Sequence, residues 1–374
     1  MKVAVLGAAG TIAPAIVRDL AVSDEVESIL LLDLRAEQAR EVAERHGLGK
    51  AAARGADARS NLAAELSDID ALVNSASYRI NLDAMRACLE ADCHYFDLGG
   101  LYRVTGEQLL LGDDFERAGL LAVLGIGSSP GKTNLMAAHA ADAVAGAQRS
   151  DPGTPASDVD SIDVFAAGRD LEPPPGASYP YALETLLDEV KLRPVALRNG
   201  EPVRIEPLTS GGEVDFGVPI GRAETIYTLH SELRTFGTSF GCKQSTFRLS
   251  LSKALLDRLR ALAKASEDEV RDAIRTAQPW SPRTVSVHMV EASGHGRTVR
   301  IRAVTEPHSD WGLGGGVVST AAPIAAAVRL LARGSIEARG ALPPERCIVP
   351  EEMFAELEQR GTEFELDVTE SAAA

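Results

Sequence analysis

Two glycines three residues apart, in Gly7-Ala8-Ala9-Gly10, stand directly after an apolar run and just before Thr11, Ile12 and Ala13, which open a helical pattern. That arrangement suits a pyrophosphate: Gly7 permits a tight turn, Gly10 allows close backbone approach, and the N–H groups at the head of the helix receive negative charge. Pro14 is compatible because it falls in the first turn, where an N–H has no intrahelical acceptor. The spacing is Gly-x-x-Gly rather than the fuller Gly-x-Gly-x-x-Gly, and alone it also describes a ligand-free turn. Asp33 adds to it by ending the second apolar run, at the place where a carboxylate accepts from a ribose diol. Leu34 and Arg35 follow, and Asp57, at the end of a third run, is placed to reach an adenine. A carboxylate at position 33 repels a 2′-phosphate, so NAD is the expected cofactor, with NADP the alternative through Arg35. On this reading Asp33→Ala loses NAD binding far more than NADP binding.

Three other motifs point elsewhere and fail on chemistry. Gly127-Ser128-Ser129-Pro130-Gly131 matches a nucleophile elbow, yet the oxyanion hole needs the N–H after the serine, and Pro130 has none. Gly131-Lys132-Thr133 resembles the end of a phosphate-binding P-loop, but Ile126 stands where its first glycine belongs. The short-chain reductases share a Gly-x-x-Gly opening and need Tyr-x-x-x-Lys, which no tyrosine here provides. No His, Cys or carboxylate spacing suggests a metal site.

The elements that would position these residues alternate. Short apolar runs at residues 3–6, 29–33, 71–74, 94–98 and 120–124 are separated by helical patterns such as 36–46 and 82–91. Alternating strands and helices imply βαβ units and a doubly wound parallel sheet. Residues 147–160 and 170–180, rich in Pro, Gly, Ser and Asp, read as loops. Beyond them Val285, Val287 and Met289, then Val299, Ile301 and Ala303, alternate about a turn at Gly294-His295-Gly296, as in an antiparallel hairpin. Helical patterns cover 253–264, 267–276, 317–333 and 351–360. The expected fold class is α/β, a Rossmann doubly wound parallel sheet over residues 1–127, plus an α+β second domain with a largely antiparallel sheet over 128–316. Residues 317–374 are expected to return to the first domain.

At 374 residues the chain is long enough for two domains. Its net charge of −16 argues against nucleic acid or an anionic membrane as partner. With the first strand starting at Lys2 no signal peptide is expected, and Pro323 and Arg329 interrupt the most apolar stretch, so no membrane span is expected either. Cys88, Cys93, Cys242 and Cys347 show no pairing pattern, which fits reduced thiols in the cytoplasm.

The order of several stretches resembles the saccharopine dehydrogenase-like superfamily, in particular the branch of L-lysine 6-dehydrogenase and carboxynorspermidine dehydrogenase. They are Ala71-Leu72-Val73-Asn74-Ser75-Ala76, residues 81–88, Tyr95-Phe96-Asp97-Leu98-Gly99-Gly100, Ala118-Gly119 and GSSPGKTN at 127–134. His230-Ser231-Glu232-Leu233, Gly340-Ala341-Leu342-Pro343-Pro344-Glu345, Val349-Pro350 and Arg360-Gly361 follow. The resemblance implies hydride transfer between NAD(P) and a carbon bearing nitrogen, with an amino acid, an amine or a derived imine as small-molecule substrate. It also implies a second domain that carries the substrate pocket and a subunit interface. Lys132 departs from the family, which has an aliphatic residue after Pro-Gly, and is a candidate to pair with a substrate carboxylate or simply an exposed lysine at a helix start.

Ligands of doubly wound sheets bind beyond the carboxyl ends of the strands. Ser75, Ala76 and Ser77 would line the nicotinamide and its ribose, and Tyr78, Gly99, Tyr102, Ser129 and Thr133 are the substrate-side candidates. Asp97 either fixes a substrate ammonium or anchors the Gly99-Gly100 turn. His230 beside Glu232 reads as a general acid/base pair with a pKa near working pH, or as a cluster capping a helix. Three functions stay open: oxidative deamination, reductive joining of an amine to a carbonyl compound, and a catalytically idle NAD-binding protein. An open antiparallel sheet with an edge to cover makes a homo-oligomer, a dimer, the expected assembly.

Overall fold

A computed structural model describes residues 1–146 and 159–370, so the loop expected over 147–160 lies almost wholly outside the described residues. The first strands are β1 (Lys2–Leu6), β2 (Ser28–Asp33), β3 (Ala51–Gly55), β4 (Ala71–Asn74), β5 (His94–Asp97) and β6 (Leu121–Val123). Next come β7 (Ser161–Asp170), β8 (Ser178–Tyr179), β9 (Val195–Arg198), β10 (Glu201–Arg204), β11 (Ser210–Asp215) and β12 (Arg222–Tyr227). The last are β13 (Gln244–Ser250), β14 (Gln278–Pro279), β15 (Thr284–Gly294), β16 (Arg297–Thr305), β17 (Gly340–Leu342) and β18 (Thr362–Glu370).

One sheet is fully parallel in the order β17-β6-β5-β4-β1-β2-β3. Helices cover both faces of such a sheet, so its inner strands must be apolar throughout. Val3, Ala4 and Val5 of β1 and Ala71, Leu72 and Val73 of β4 are accordingly all buried. The strand order reverses between β1 and β4, which sets the ligand crevice of this fold at the carboxyl ends of those two strands. The second sheet runs β10-β9-β13-β7-β15-β16-β18, with β12 also on β13 and β11 on β12. Its pairs are antiparallel except β13 with β7. The β15–β16 hairpin closes through His295 and Gly296, both at positive φ, the two-residue turn whose twist matches paired strands.

The chain divides into two compact units. The described part of the first is Met1–Leu135 and Thr320–Arg360; that of the second is 136–146, 159–319 and 361–370. The divisions lie at 135/136 and 319/320, inside the helices Lys132–Ala145 and Gly315–Ala332, rather than at 127/128 and 316/317. Residues 361–370, expected to run back with the C-terminal helices, instead form β18 and pair with β16. The alternation of Phe364, Leu366 and Val368 with acidic residues is a strand pattern, and it outweighs the helical run before it.

Helix Gly315–Ala332 contains Pro323 rather than stopping at it, and by length and composition it is apolar enough to cross a membrane, although it is mostly buried within the protein. Its one charge, Arg329, is buried, with Nη1 donating to Asp19 Oδ1 at 2.8 Å and Nε to Glu356 Oε2 at 2.7 Å. Arg360 adds a second bond to Asp19, and Arg333 reaches both Glu356 and Glu25. This network ties helix Ala13–Ala21, which follows the glycine turn, to helices Gly315–Ala332 and Pro350–Glu358. Arginine cannot shed its proton, so its burial requires anions of this kind.

Candidate dinucleotide and catalytic site

The glycine turn is held on three sides. From β2, the Leu32 carbonyl accepts from the N–H groups of Gly7 and Ala8. From β4, Ser75 Oγ donates to the Leu6 carbonyl at 3.0 Å, and Ala76 packs so closely that a Cβ on Gly7 would sit 2.6 Å from its nitrogen. Gly7 also lies at φ +80°, so no side chain is tolerated there on either count. The third support is Asp33. Its Oδ2 accepts from Ala9 N–H and its Oδ1 from Arg35 N–H, both at 2.9 Å, while the Arg35 guanidinium lies 3.5 Å from the carboxylate and donates to the Ala9 carbonyl.

These residues fit a dinucleotide. The N–H groups of Thr11 and Ile12, at the head of helix Ala13–Ala21, meet no acceptor among the described residues, as a pyrophosphate cradle requires. A cavity of about 170 Å³ opens beside the turn, lined by Gly7, Asp33, Leu34, Asp57, Arg59 and Ala76 among others. Leu34 is 77% exposed at its rim, an apolar surface suited to an adenine face. Asp57 sits two residues past the end of β3, where its carboxylate accepts from Arg59 N–H. When bound, NAD(P) would be held by this turn, by Asp33 and Arg35, and by the cavity wall.

Asp97, at the carboxyl end of β5, is buried with five donors on its two oxygens. Gly99 N–H and Gly125 N–H bond Oδ1; Asn81 Nδ2, the Tyr95 hydroxyl and Gln108 Nε2 bond Oδ2. Burial pushes its pKa above the ordinary carboxylate range while those donors oppose the rise. The Gly99 N–H bond is the contact that the anchor role for the Gly99-Gly100 turn calls for. Asn74, which bonds Asn81 and Tyr95, belongs to the same network. Sequence reading missed Asn74, Asn81 and Gln108, whose only signal is polar residues at otherwise apolar strand ends and helix faces. Tyr102, on helix Leu101–Gln108, is half-buried. Ser77 accepts from Arg79 N–H and so starts the short turn Tyr78–Ile80, where Arg79 stacks over the Tyr78 ring.

After β6 the chain makes a compact loop into helix Lys132–Ala145. Gly127 N–H donates to Pro130 O, Lys132 N–H to Gly127 O, and Thr133 N–H to Ser128 O. Gly131 lies at φ +123°, and a Cβ there would meet Gly127 at 2.4 Å. Ser129 and Thr133 come together through their hydroxyls at 3.4 Å. Asn134 accepts from Gly131 N–H and donates to buried Glu345. Lys132 is fully buried, not an exposed helix-start lysine, and burial lowers its pKa to about 7.

In the second unit, buried His230 lies between two carboxylates, Nδ1 3.5 Å from Glu232 and Nε2 3.7 Å from Glu189, with its ring stacked 3.6 Å from that of Phe247. Tyr181 donates to Glu189 at 2.5 Å. Burial alone would lower the His230 pKa; Glu232 and then Glu189 outweigh it and raise it to about 9. This imidazolium keeps its proton at neutral pH, so the expected acid/base pair with a pKa near working pH is not what the structure presents. His308 and Trp311 stack on each other at 4.2 Å.

Two outcomes follow from these contacts. Because Asp33 holds the turn through Ala9, Asp33→Ala should weaken NADH and NADPH alike, by roughly tenfold or more; fluorescence titration showing loss of NADH binding alone would refute this. His230 has its folded pKa raised above its unfolded value, so its stabilisation is full below about pH 6.5 and is lost as pH rises through about 9. The gap in melting temperature between the wild type and His230→Gln should therefore shrink steadily across that window, and a constant gap would show that the carboxylates do not hold the proton.

Residues 3–123 match the family model described as the saccharopine dehydrogenase NADP binding domain. Among solved structures, apo saccharopine dehydrogenase (L-Glu forming) from Saccharomyces cerevisiae is similar in fold at a TM-score of 0.71 and 14% identity, over 98% of this chain and 99% of that one. A probable dehydrogenase from Thermotoga maritima aligns at a TM-score of 0.47 and 13% identity, over 97% of this chain and 98% of that one. The first domain is thus an NAD(P)-binding domain of the kind found in saccharopine dehydrogenases, and the chain shares the fold of that saccharopine dehydrogenase over nearly its whole length.

Proposed function

We propose that the protein transfers hydride between NAD(P) and a C–N bond of an amino acid or an imine derived from one, with oxidative deamination of the L-lysine 6-dehydrogenase type as the leading reading. The observation that carries it is Lys132, an amine buried at the start of the helix after β6 and poised near pH 7. The fold shared end to end with a saccharopine dehydrogenase supports an amino-acid-derived substrate. When bound, the nicotinamide supplies the hydride acceptor, or the donor in reverse. Neutral Lys132 takes the proton that the substrate nitrogen releases as C–N becomes C=N, and protonated Lys132 returns it in the reductive direction. The loops at Ser75 to Ser77 and at Gly99, held by Asp97, give the site its walls.

In the oxidative direction turnover should rise as pH passes through about 7, because the base must be neutral; in the reductive direction it should fall through the same value. Lys132→Met should lower kcat by roughly a hundredfold or more and remove that limb of the profile, with NADH affinity retained. Absorbance at the nicotinamide band, with amino acids at high pH and with imines in reverse, reads this. Unchanged turnover in the variant would move the proton role elsewhere, and absence of turnover both ways would favour an idle NAD-binding protein.

We also propose a cytoplasmic homodimer. All four thiols are free and buried, in keeping with a reducing compartment, and among the described residues β18 pairs on one side only while exposing Leu366 and Val368. Light scattering should return twice the chain mass of 39.5 kDa, and a monomer would refute it.

A further inference from the structure

The second unit holds an arginine that breaks the rule Arg329 obeys. Arg169 stands near the carboxyl end of β7, half-buried beside the parallel strand β13. Its Nη1 donates to the Gly168 carbonyl at 2.7 Å and to the Ser250 carbonyl at 3.2 Å, and its Nη2 donates to Ser250 Oγ at 2.9 Å. All three acceptors are uncharged, and among the described residues Arg169 has no ion pair, where Arg329 has two acids. The acids of its own strand are engaged elsewhere. Asp170 accepts from the Ser281 N–H and hydroxyl and from Glu172 N–H, and Asp163, on the same face as Arg169, lies 3.5 Å from Arg248. Burial pushes the Arg169 pKa down, whereas Glu25 and Glu356 raise that of Arg333.

A guanidinium has five N–H donors in a fixed plane. Gly168 and Ser250 take three of them, with the two Ser250 oxygens on the Nη1–Nη2 edge. The two that remain lie on Nε and Nη2, side by side, and such a pair matches both oxygens of one carboxylate. Ser250 is fully buried, so the open edge is aimed by a fixed support.

We infer that Arg169 is a carboxylate-binding residue of the second unit, and that the anion matching it is the carboxylate of an amino-acid substrate. Arg169 is then a specificity determinant, because the carboxylate is what separates an amino acid from the corresponding amine. The inference rests on the proposed function for the identity of the ligand, and on the Arg169 fork for its chemical class. An acidic side chain from a second copy has the same chemistry, and the test separates the two.

Thermal-shift and calorimetric titrations of the full chain use glutarate, L-lysine and 1,5-diaminopentane, the last being lysine without its carboxylate. Glutarate should raise the melting temperature of the wild type and not that of Arg169→Gln. L-Lysine should bind at least tenfold more tightly than diaminopentane. Arg169→Gln should weaken lysine by roughly tenfold to a hundredfold and leave diaminopentane unchanged. Arg169→Lys, which keeps the charge but not the fork, should restore part of the loss, and it carries the same comparison if the glutamine variant does not fold. An equal glutarate response in wild type and variants, or an equal loss of lysine and diaminopentane, would overturn the inference. So would a change from dimer to monomer in the variants by light scattering, which would assign Arg169 to an acid of the second copy. A glutarate response that depends on Arg169, with neither lysine nor diaminopentane bound, would uphold the carboxylate site and overturn the lysine-type reading.

Discussion

The site depends on one carboxylate. Asp97 ends β5, and its five donors come from β5 itself, the two glycine loops after β5 and β6, and the helices that follow β4 and β5. In a doubly wound sheet the ligand crevice is made of loops, which have no ladder to hold them in place. A buried acceptor that binds backbone N–H groups directly fixes those loops to within a hydrogen-bond length. Asp33 does the same at β2, with Ala9 and Arg35. Both acids lie at strand ends and both satisfy main-chain donors, so the walls of the crevice are set before any ligand arrives. Such preorganisation is what hydride transfer asks of a protein, since the reacting carbon must be held in place rather than activated.

The parallel sheet was legible from the sequence because five of its strands are apolar runs stopped by Gly, Asp or Asn, and buried parallel strands have no other pattern to show. The β15–β16 hairpin was legible through alternation and its glycine turn. The tail was not. Residues 351–358 do form a helix, and the strand after them differs only in a two-residue period spread over nine residues with four acids. The division of the chain was hidden for a related reason: it passes through the middle of two continuous helices, and a helix carries no boundary signal in its interior. The Arg329 network was invisible because its partners lie 310 and 27 residues away, and no local pattern pairs them.

Within the site, residue types were easier to read than roles. Asp33, Asp97 and Lys132 were each marked by position, yet Asp97 is taken up by loop N–H groups and neighbouring side chains, and Asp33 binds the N–H groups of Ala9 and Arg35 as well as lining the cofactor cavity. The reason is physical. A carboxylate at a strand end can accept from a ribose hydroxyl or from a loop N–H with equal chemistry, and only the backbone path decides which donor comes within 3 Å. His230 shows the same limit for charge: an acid two residues away suggested a balanced pair, but Glu232 together with Glu189, brought in from another helix, raises the imidazole pKa to about 9.

The fold uses buried cations in two distinct ways, and the choice of residue marks the difference. Arg329 joins three helices and must remain charged, so it is matched by Asp19 and Glu356 and cannot participate in proton chemistry. Lys132 is buried at least as completely, and that burial lowers its pKa to about 7. A residue needed only to fill that space would be better as methionine, and one needed only to bind an anion would be better as arginine, which keeps its charge and offers a planar fork. Lysine is the cationic side chain that burial can bring to half-protonation at neutral pH. At the head of the helix after β6, it is the side chain on which the proposed proton transfer rests.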